Sequence, residues 1–257
     1  MMFAGGKWQP EPEELSLASM AIIGSHDSAW LCRAAQPATW VRNPESEKPE
    51  VRQVQNLKGI PAFHDLADSE DRLKLLWAIA EEKRDIRYFL YDIIHSDAFR
   101  NTFSMVFIDA PPRLTTACVQ ALVASTHVLI PTVMDDLSAG AVGYFGKQLR
   151  RHEELWPHLR VLGIVGSMME GQKHERPALT AAGDALRQSL AGTRSKLNAL
   201  QAGFEFPYEL SVPQRAALGR TVGKGIAYVA LGDNKEGNDV RDIYNGLAEE
   251  IVKRMRA

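Results

Sequence analysis

Apolar positions along the chain change period several times, and the changes mark out its elements. From Ser104 to Ile108 apolar and small residues follow one another without alternation, which predicts a strand buried on both faces of a parallel sheet. The run stops at Asp109. After Ala-Pro-Pro-Arg, where proline excludes helix, Thr115 or Thr116 can cap a helix to about Ala124. A second apolar run, His-Val-Leu-Ile-Pro, predicts a strand ending at Pro131. Ser138 is then placed to cap a long helix through Leu155, and Arg-Val-Leu-Gly-Ile-Val-Gly-Ser-Met predicts a third strand.

Farther on, Pro177 opens a helix to about Leu190, Phe-Glu-Phe (204–206) and Ile-Ala-Tyr-Val-Ala-Leu (226–231) read as short strands, and Asp239 to Met255 reads as a closing amphipathic helix. Strands alternating with helices predict an α/β fold: a doubly wound, mostly parallel sheet with helices on both faces. The first 100 residues are less regular. Asn43 to Glu50 is a polar, proline-bounded loop, Val54 to Ala62 reads as a strand, and Ser69 to Ile94 carries periodic apolar positions for one or two helices. No internal repeat is evident.

Composition narrows the class. At 257 residues with 45% hydrophobic and 24% charged content, the chain is long enough to bury a substantial core, and one domain spanning 1–257 is the default expectation. Two cysteines, Cys32 and Cys118, are too few for a disulfide framework and have no metal-ligand spacing, which suits a reducing cytoplasm. No segment approaches the roughly 20 apolar residues that cross a bilayer, so no membrane partner is expected. Residues 1–100 carry 12 Lys and Arg against 16 Asp and Glu, and residues 101–257 carry 18 against 16. That balance excludes DNA binding by bulk charge but allows a local basic patch toward the C-terminus.

Asp109 is the first candidate for chemistry. A carboxylate at the C-terminal end of a buried strand lies at the rim where open α/β sheets bind ligands, and it can hold Mg²⁺ through water or orient a nucleophilic water. An Asp before prolines also caps turns, and that reading stays open. The seven histidines form no metal-like spacing, and Ser138 has no G-x-S-x-G around it, so a hydrolase triad is not expected.

The string Val-Phe-Ile-Asp-Ala-Pro-Pro, then Ala-Leu-Val-Ala (121–124), then Ile130-Pro131, in that order, resembles the ParA/MinD-like partition ATPase family. The resemblance extends through the third strand to Gly-Lys-Gly-Ile (223–226) and the final helix, covering about residues 55–257 and leaving 1–54 poorly matched. It implies a P-loop NTPase-like fold, ATP and Mg²⁺ as cofactors, homodimerisation, a ParB-like partner, nonspecific DNA, and a cytoplasmic, nucleoid-associated setting in plasmid or chromosome partition. By the same resemblance Asp109 is the metal residue, and Asp109, Pro111, Pro112 and Met168 are the nucleotide-side residues. Core packing is the other reading of Met168 and Met169.

The family's phosphate loop, K-G-G-x-G-K-[ST]-T, is not found in this sequence. Ala-Gly-Gly-Lys-Trp (4–8) comes nearest but puts Trp8 where a hydroxyl must meet the metal. The fold is therefore expected to be N-terminally incomplete and the chain inactive alone as an ATPase, through a late start in preference to degeneration. The resemblance also points to Arg215, Arg220 and Lys224 as DNA contacts. Between 194 and 224 five basic residues face only Glu205 and Glu209, although a solvated loop carries such charges too. Two further classes compete: an inactive ParA-like interaction or DNA-docking module, and another Mg²⁺-nucleotide enzyme of the same fold.

Overall fold

The computed structural model describes residues 16–22, 24, 27–42, 50–62, 64–79, 85–110, 114–198, 203–221, 224 and 226–257. The Ala-Gly-Gly-Lys-Trp string, most of the 43–50 loop, Pro111 and Pro112 lie outside them. The chain divides into two compact units, one comprising Met1–Ser125 with Gly223–Ile226, the other Thr126–Val222 with Ala227–Ala257.

In the first unit the order is α1 (Leu17–Ile22), α2 (Ser28–Ala34), β1 (Gln36–Arg42), β2 (Glu50–Gly59), α3 (Asp65–Ile79), α4 (Phe89–Ile94), α5 (Asp97–Thr102) and α6 (Thr116–Ala124). Strands β1 and β2 form an antiparallel pair, with an irregularity between Pro37 and Thr39 where proline cannot donate to the ladder. The core gathers Ala21, Leu31, Cys32, Ile93 and Phe99, flanked by Trp30, Leu90 and Phe103. Helix α6 starts as expected, the Thr115 hydroxyl accepting the Cys118 N–H at 3.4 Å. Two polar contacts then fasten it: the Gln120 amide donates to the carbonyls of Ile22 (3.0 Å) and Ile86 (2.7 Å), and the buried Glu70 carboxylate accepts the Ala117 N–H at 2.5 Å.

The second unit holds β3 (His127–Val133), α7 (Asp136–Arg151), β4 (Arg160–Ser167), α8 (Glu175–Leu190), α9 (Ala216–Gly219), α10 (Ala227–Ala230) and α11 (Lys235–Arg256). Strands β3 and β4 pair in parallel, His127 opposite Arg160 through Val133 opposite Ser167. Glu205 adds a parallel bridge to Ile164, so the 203–206 segment runs as a third lane beside β4. Val161, Leu162, Ile164 and Val165 of β4 are buried, each contributing about 1.5–3 kcal/mol through burial. Helices α7 and α8 pack closely because Gly146 has no side chain: a Cβ there would lie 2.8 Å from Leu186 Cδ1 and 2.9 Å from Ser189 Cβ. Alternating strands and helices with a parallel pair are the α/β fold expected.

Several details differ from the sequence expectations. Residues 104–109 form no strand. They carry no regular secondary structure and have no hydrogen-bonded neighbour among the described residues, and Met105, Val106 and Phe107 face solvent, Phe107 at 80% exposure. A continuous apolar run becomes a central strand only where neighbours satisfy its N–H and C=O groups. Strand β3 passes Pro131 and ends at Val133, and α7 is capped by Asp135, which accepts the Ser138 N–H at 2.7 Å, so Ser138 is the capped residue. The long helix ends at Arg151, and a short 3₁₀ turn (Glu153–Leu155) follows. The 226–231 run places a helical turn, α10, where a strand was expected, since short apolar runs carry no period that separates the two.

The closing helix is anchored by one buried cation. Arg254, 6% exposed, donates to the carbonyls of Leu162 (2.8 Å), Gly203 (3.2 Å) and Glu205 (2.8 Å) and to Glu250 (2.9 Å), and its guanidinium lies 4.0 Å from the Phe206 ring centroid. Gly163, at φ +135°, makes room for it, as a Cβ there would collide with the Phe204 carbonyl and stand 2.6 Å from the guanidinium. Chemical denaturation should therefore separate two substitutions. Arg254→Ala is expected to cost about 3–5 kcal/mol, because it strands carbonyls and Glu250. Phe107→Asp should change stability by less than about 0.5 kcal/mol while raising solubility. A large loss from Phe107→Asp would mean that residues 104–109 are a buried strand after all.

Candidate functional site

The C-terminal end of the parallel strands is where an α/β sheet of this kind receives ligands. Strand β3 ends there at Val133, 42% exposed, and β4 runs into Met168, a non-glycine residue at φ +56° and 58% exposed. Such a left-handed turn costs of order 1–3 kcal/mol and must be held by its surroundings. The restraint is visible: the Met169 N–H donates to the Val212 carbonyl (3.1 Å), Gln214 N–H to the Met169 carbonyl (2.8 Å), and Val212 N–H to the Gly166 carbonyl (2.8 Å). Met169 is buried and belongs to the core, whereas Met168 presents its thioether outward.

Three consecutive N–H groups follow this turn and converge on one point. Those of Glu170 (2.7 Å), Gly171 (3.0 Å) and Gln172 (3.0 Å) all donate to the carboxylate of Glu175, at the start of α8, and the Tyr208 hydroxyl donates to it at 2.8 Å. Successive N–H groups of this kind form an anion cradle, and here the chain fills it with its own carboxylate. Burial pushes the Glu175 carboxyl up, but the hydrogen bonds from Glu170, Tyr208, Gly171 and Gln172 together hold it below its ordinary value. Arg176 completes the cluster, with its guanidinium 4.5 Å from the Tyr208 ring centroid and 2.8 Å from Glu209. Sequence reasoning missed this arrangement because Glu175 and Tyr208 lie 33 residues apart. The only local hint was an acid in the first turn of a helix.

The predicted site residues fall as follows. Asp109 is exposed, at the end of the irregular 104–108 segment, with no hydrogen-bond partner among the described residues. Pro111 and Pro112 lie outside the described residues. Arg215 is exposed at the start of α9, and Arg220, at its end, is ion-paired with Glu236 at 2.7 Å. Glu236 also accepts the Ala217 N–H at 3.2 Å, and Arg220 first, then this N–H, hold its carboxyl below the ordinary range. Lys224 is half-buried.

Among the described residues, no group of three or more His, Cys, Asp or Glu is placed to hold a metal ion, Asp109 has no hydrogen-bond partner, and the N–H cradle after β4 is occupied by Glu175. No helix among the described residues is long and apolar enough to cross a membrane.

Comparison with known proteins agrees with this geometry at the level of fold. The chain matches a family model for an AAA domain (AAA_31) over residues 39–159. No curated protein sequence matches it. Among solved structures, cobyrinic acid a,c-diamide synthase from Mycobacterium smegmatis, with bound ATP analog and magnesium, is similar at TM-score 0.53 and 20% identity over 85% of this chain and 72% of that one. A partition protein matches at TM-score 0.53 and 16% identity, over 96% of this chain but only 59% of its own length. The pNOB8 ParA, in a structure bound to nonspecific DNA, matches at TM-score 0.52 and 15% identity over 88% of this chain and 74% of that one. The class of protein is thus the P-loop NTPase-like α/β fold. Within it, the family model, the two partition-protein neighbours and the Asp109-Ala-Pro-Pro and Ile130-Pro131 strings together bear out the resemblance to ParA/MinD-like partition ATPases.

The cradle generates a pH-dependent prediction. A carboxyl held below its ordinary value of 4.5 stabilises the fold above that pH, and this stabilisation is lost as pH falls through the folded value. Glu175→Gln should cost about 1–3 kcal/mol at pH 7, since an amide cannot satisfy three N–H donors. The stability gap to the unsubstituted protein should narrow progressively below pH 4.5. A gap that stays constant from pH 7 to pH 3 would show that the charge on Glu175 is not what the cradle holds.

Proposed function

We propose that the chain is a ParA-like protein of plasmid or chromosome partition that acts by docking on nonspecific DNA, without turning over ATP by itself. The observation that carries this reading is the distribution of charge around α9. Among the described residues no acid is hydrogen-bonded to the exposed Arg215, whereas Glu236 holds Arg220 at 2.7 Å. Arg215 is therefore the first cation around α9 available to a phosphate, Arg220 joins only by giving up Glu236, and Lys224, which belongs to the other unit, is a separate expected contact. A neighbour of the same fold has been solved on nonspecific DNA, which supports the choice of ligand. In this reading the protein works in the cytoplasm on the nucleoid, with a ParB-like partner, and the isolated Asp109 assists no phosphoryl transfer.

The alternative of an inactive docking module differs mainly in its partner, and it draws on the same two observations: the self-filled cradle and the exposed Asp109. The diamide-synthase neighbour keeps the other Mg²⁺-nucleotide class in view, but the donor set just described does not favour it.

Binding of an unrelated duplex across a salt series tests the reading. Each lost phosphate contact should lower the slope of log K against log salt by about 0.9. Arg215→Ala should flatten the slope by about that much and Lys224→Ala somewhat less. Arg220→Ala should change it least, because that side chain already has an acid partner. Equal slopes for all three variants and the parent would remove this segment from the argument. Steady-state phosphate release with Mg²⁺ and ATP should stay at background, with and without DNA. Turnover that Asp109→Ala abolishes would overturn the proposal and restore a working nucleotide site.

A further inference from the structure

Strand β2 is exposed on both of its faces, unlike the buried β4. Val51, Arg52, Gln53, Gln55, Asn56, Leu57 and Lys58 are all exposed, and Val54 is half-buried. A strand that belongs to a core alternates inward and outward residues, and this one does not. The root of the β1–β2 ribbon is fixed all the same: Ala38 is fully buried, and Ile60, just past β2, packs on the cluster of Ala21, Leu31, Cys32, Ile93 and Phe99. The pairing then produces a projection. Pro37 lies opposite Lys58 and Thr39 opposite Gln53, so residues 54–57 of β2 bulge out of the ladder across a single residue of β1. At the bulge Asn56 takes the left-handed backbone at φ +60°, which Asn tolerates better than most side chains.

The ribbon is also set apart by charge. Residues 1–100 carry 12 basic against 16 acidic side chains, yet 36–42 and 51–64 hold Arg42, Arg52 and Lys58 with no Asp or Glu, and Glu50 at the first position of β2 is the one acid of the two strands. Lys58 directs one N–H to the Cys32 carbonyl at 3.5 Å, and an ammonium has two more. A two-stranded antiparallel ribbon fits the width of the DNA major groove, where Gln and Asn pair with adenine, Arg and Lys with guanine, and apolar groups meet the thymine methyl. Gln55 and Asn56 on the bulge, flanked by Arg52 and Lys58, are side chains of those kinds. We infer that the β1–β2 ribbon is a major-groove reader that gives this chain a base-sequence preference through Gln55 and Asn56. That the ligand is duplex DNA rests on the function proposed above, whereas the surface and the kind of contact differ from those around α9. Cations on phosphates position a protein without reading sequence, and amide side chains on base edges do read it. The major groove of duplex RNA is too deep and narrow for side chains to read, so B-form DNA is the ligand.

Selection of bound duplexes from a random-sequence DNA pool by the full chain, followed by fluorescence anisotropy on the selected and on an unrelated duplex, provides the test. The selected pool should share a short motif bound at least about tenfold more tightly than the unrelated duplex. Gln55→Ala combined with Asn56→Gly should lower affinity for that motif at least about fivefold and leave the unrelated duplex within about twofold, because base contacts are lost and phosphate contacts are kept. Glycine preserves the left-handed backbone at position 56, and unchanged circular dichroism confirms the fold. Deazapurines, which lack the N7 acceptor of the major groove, should weaken the motif for the parent and have little further effect on the double variant. Arg215→Ala acts through the salt slope on the unrelated duplex, so loss of the α9 contact leaves the motif preference in place and the two readings fail separately. A pool without a shared motif, a motif bound equally by parent and double variant, or one indifferent to deazapurines would each overturn the inference. Equal affinity for the same sequence as duplex RNA would overturn it as well.

Discussion

The second unit depends on the burial of the Arg254 guanidinium. Taking such a cation out of water costs several kcal/mol, and this is offset only when its donors find acceptors in good geometry. Carbonyls of Leu162, Gly203 and Glu205 and the Glu250 carboxylate supply them, with the Phe206 ring against one face. These acceptors belong to different pieces of chain: β4, the 203–206 lane and α11 itself. One side chain therefore joins a strand pair, a segment with a single bridge to it, and the terminal helix. The apolar cluster of Val165, Phe206 and Leu247 closes beneath that junction. Gly163 is the backbone condition for the arrangement, because any Cβ at that position would occupy the space that the guanidinium and the Phe204 carbonyl need.

Periodicity made the outer elements legible. Helices α6, α8 and α11 and strands β3 and β4 stand within a few residues of where the apolar pattern puts them, because each buries a face that its own sequence defines. What was not legible depends on partners elsewhere. Residues 104–108 have the composition of a strand buried on both faces, but composition does not provide neighbouring strands, and among the described residues none pairs with this run, which is irregular and largely exposed. Residues 226–231 failed for a different reason, since six apolar residues fit one helical turn as well as one short strand. Arg254, in a basic and polar helix end, reads as solvated surface. Contacts far off in sequence, with the Leu162, Gly203 and Glu205 carbonyls and the Phe206 ring, make it a core residue.

The candidate site shows the same division. The string around Asp109 was legible and carries the resemblance to ParA-like proteins, and the residue itself is exposed, with no hydrogen-bond partner among the described residues. The Glu175 cradle was not legible and is the better-built of the two. Its three N–H groups come from the left-handed turn at Met168, and its fourth donor comes from Tyr208. The strained backbone and the buried acid are thus two parts of one device. The turn aims the N–H groups inward, and the carboxylate compensates them.

Charge compensation by the chain's own acids recurs across this unit and decides what it can offer to a ligand. Glu175 takes the N–H groups after β4, Glu236 takes Arg220 and the start of α9, Glu250 takes Arg254, and Glu209 takes Arg176. Each pairing removes a donor from competition for phosphate. A phosphate must then displace a carboxylate that is already well placed, or find a cation with no such partner. Exposed ion pairs are weak, about 0–1 kcal/mol, so Arg220 can exchange Glu236 for a phosphate at little cost, whereas the buried Glu175 and Arg254 cannot. This ordering favours a polyanion that meets several exposed side chains at once over a single nucleotide phosphate that needs one deep cradle. Under the function proposed above, that polyanion is DNA.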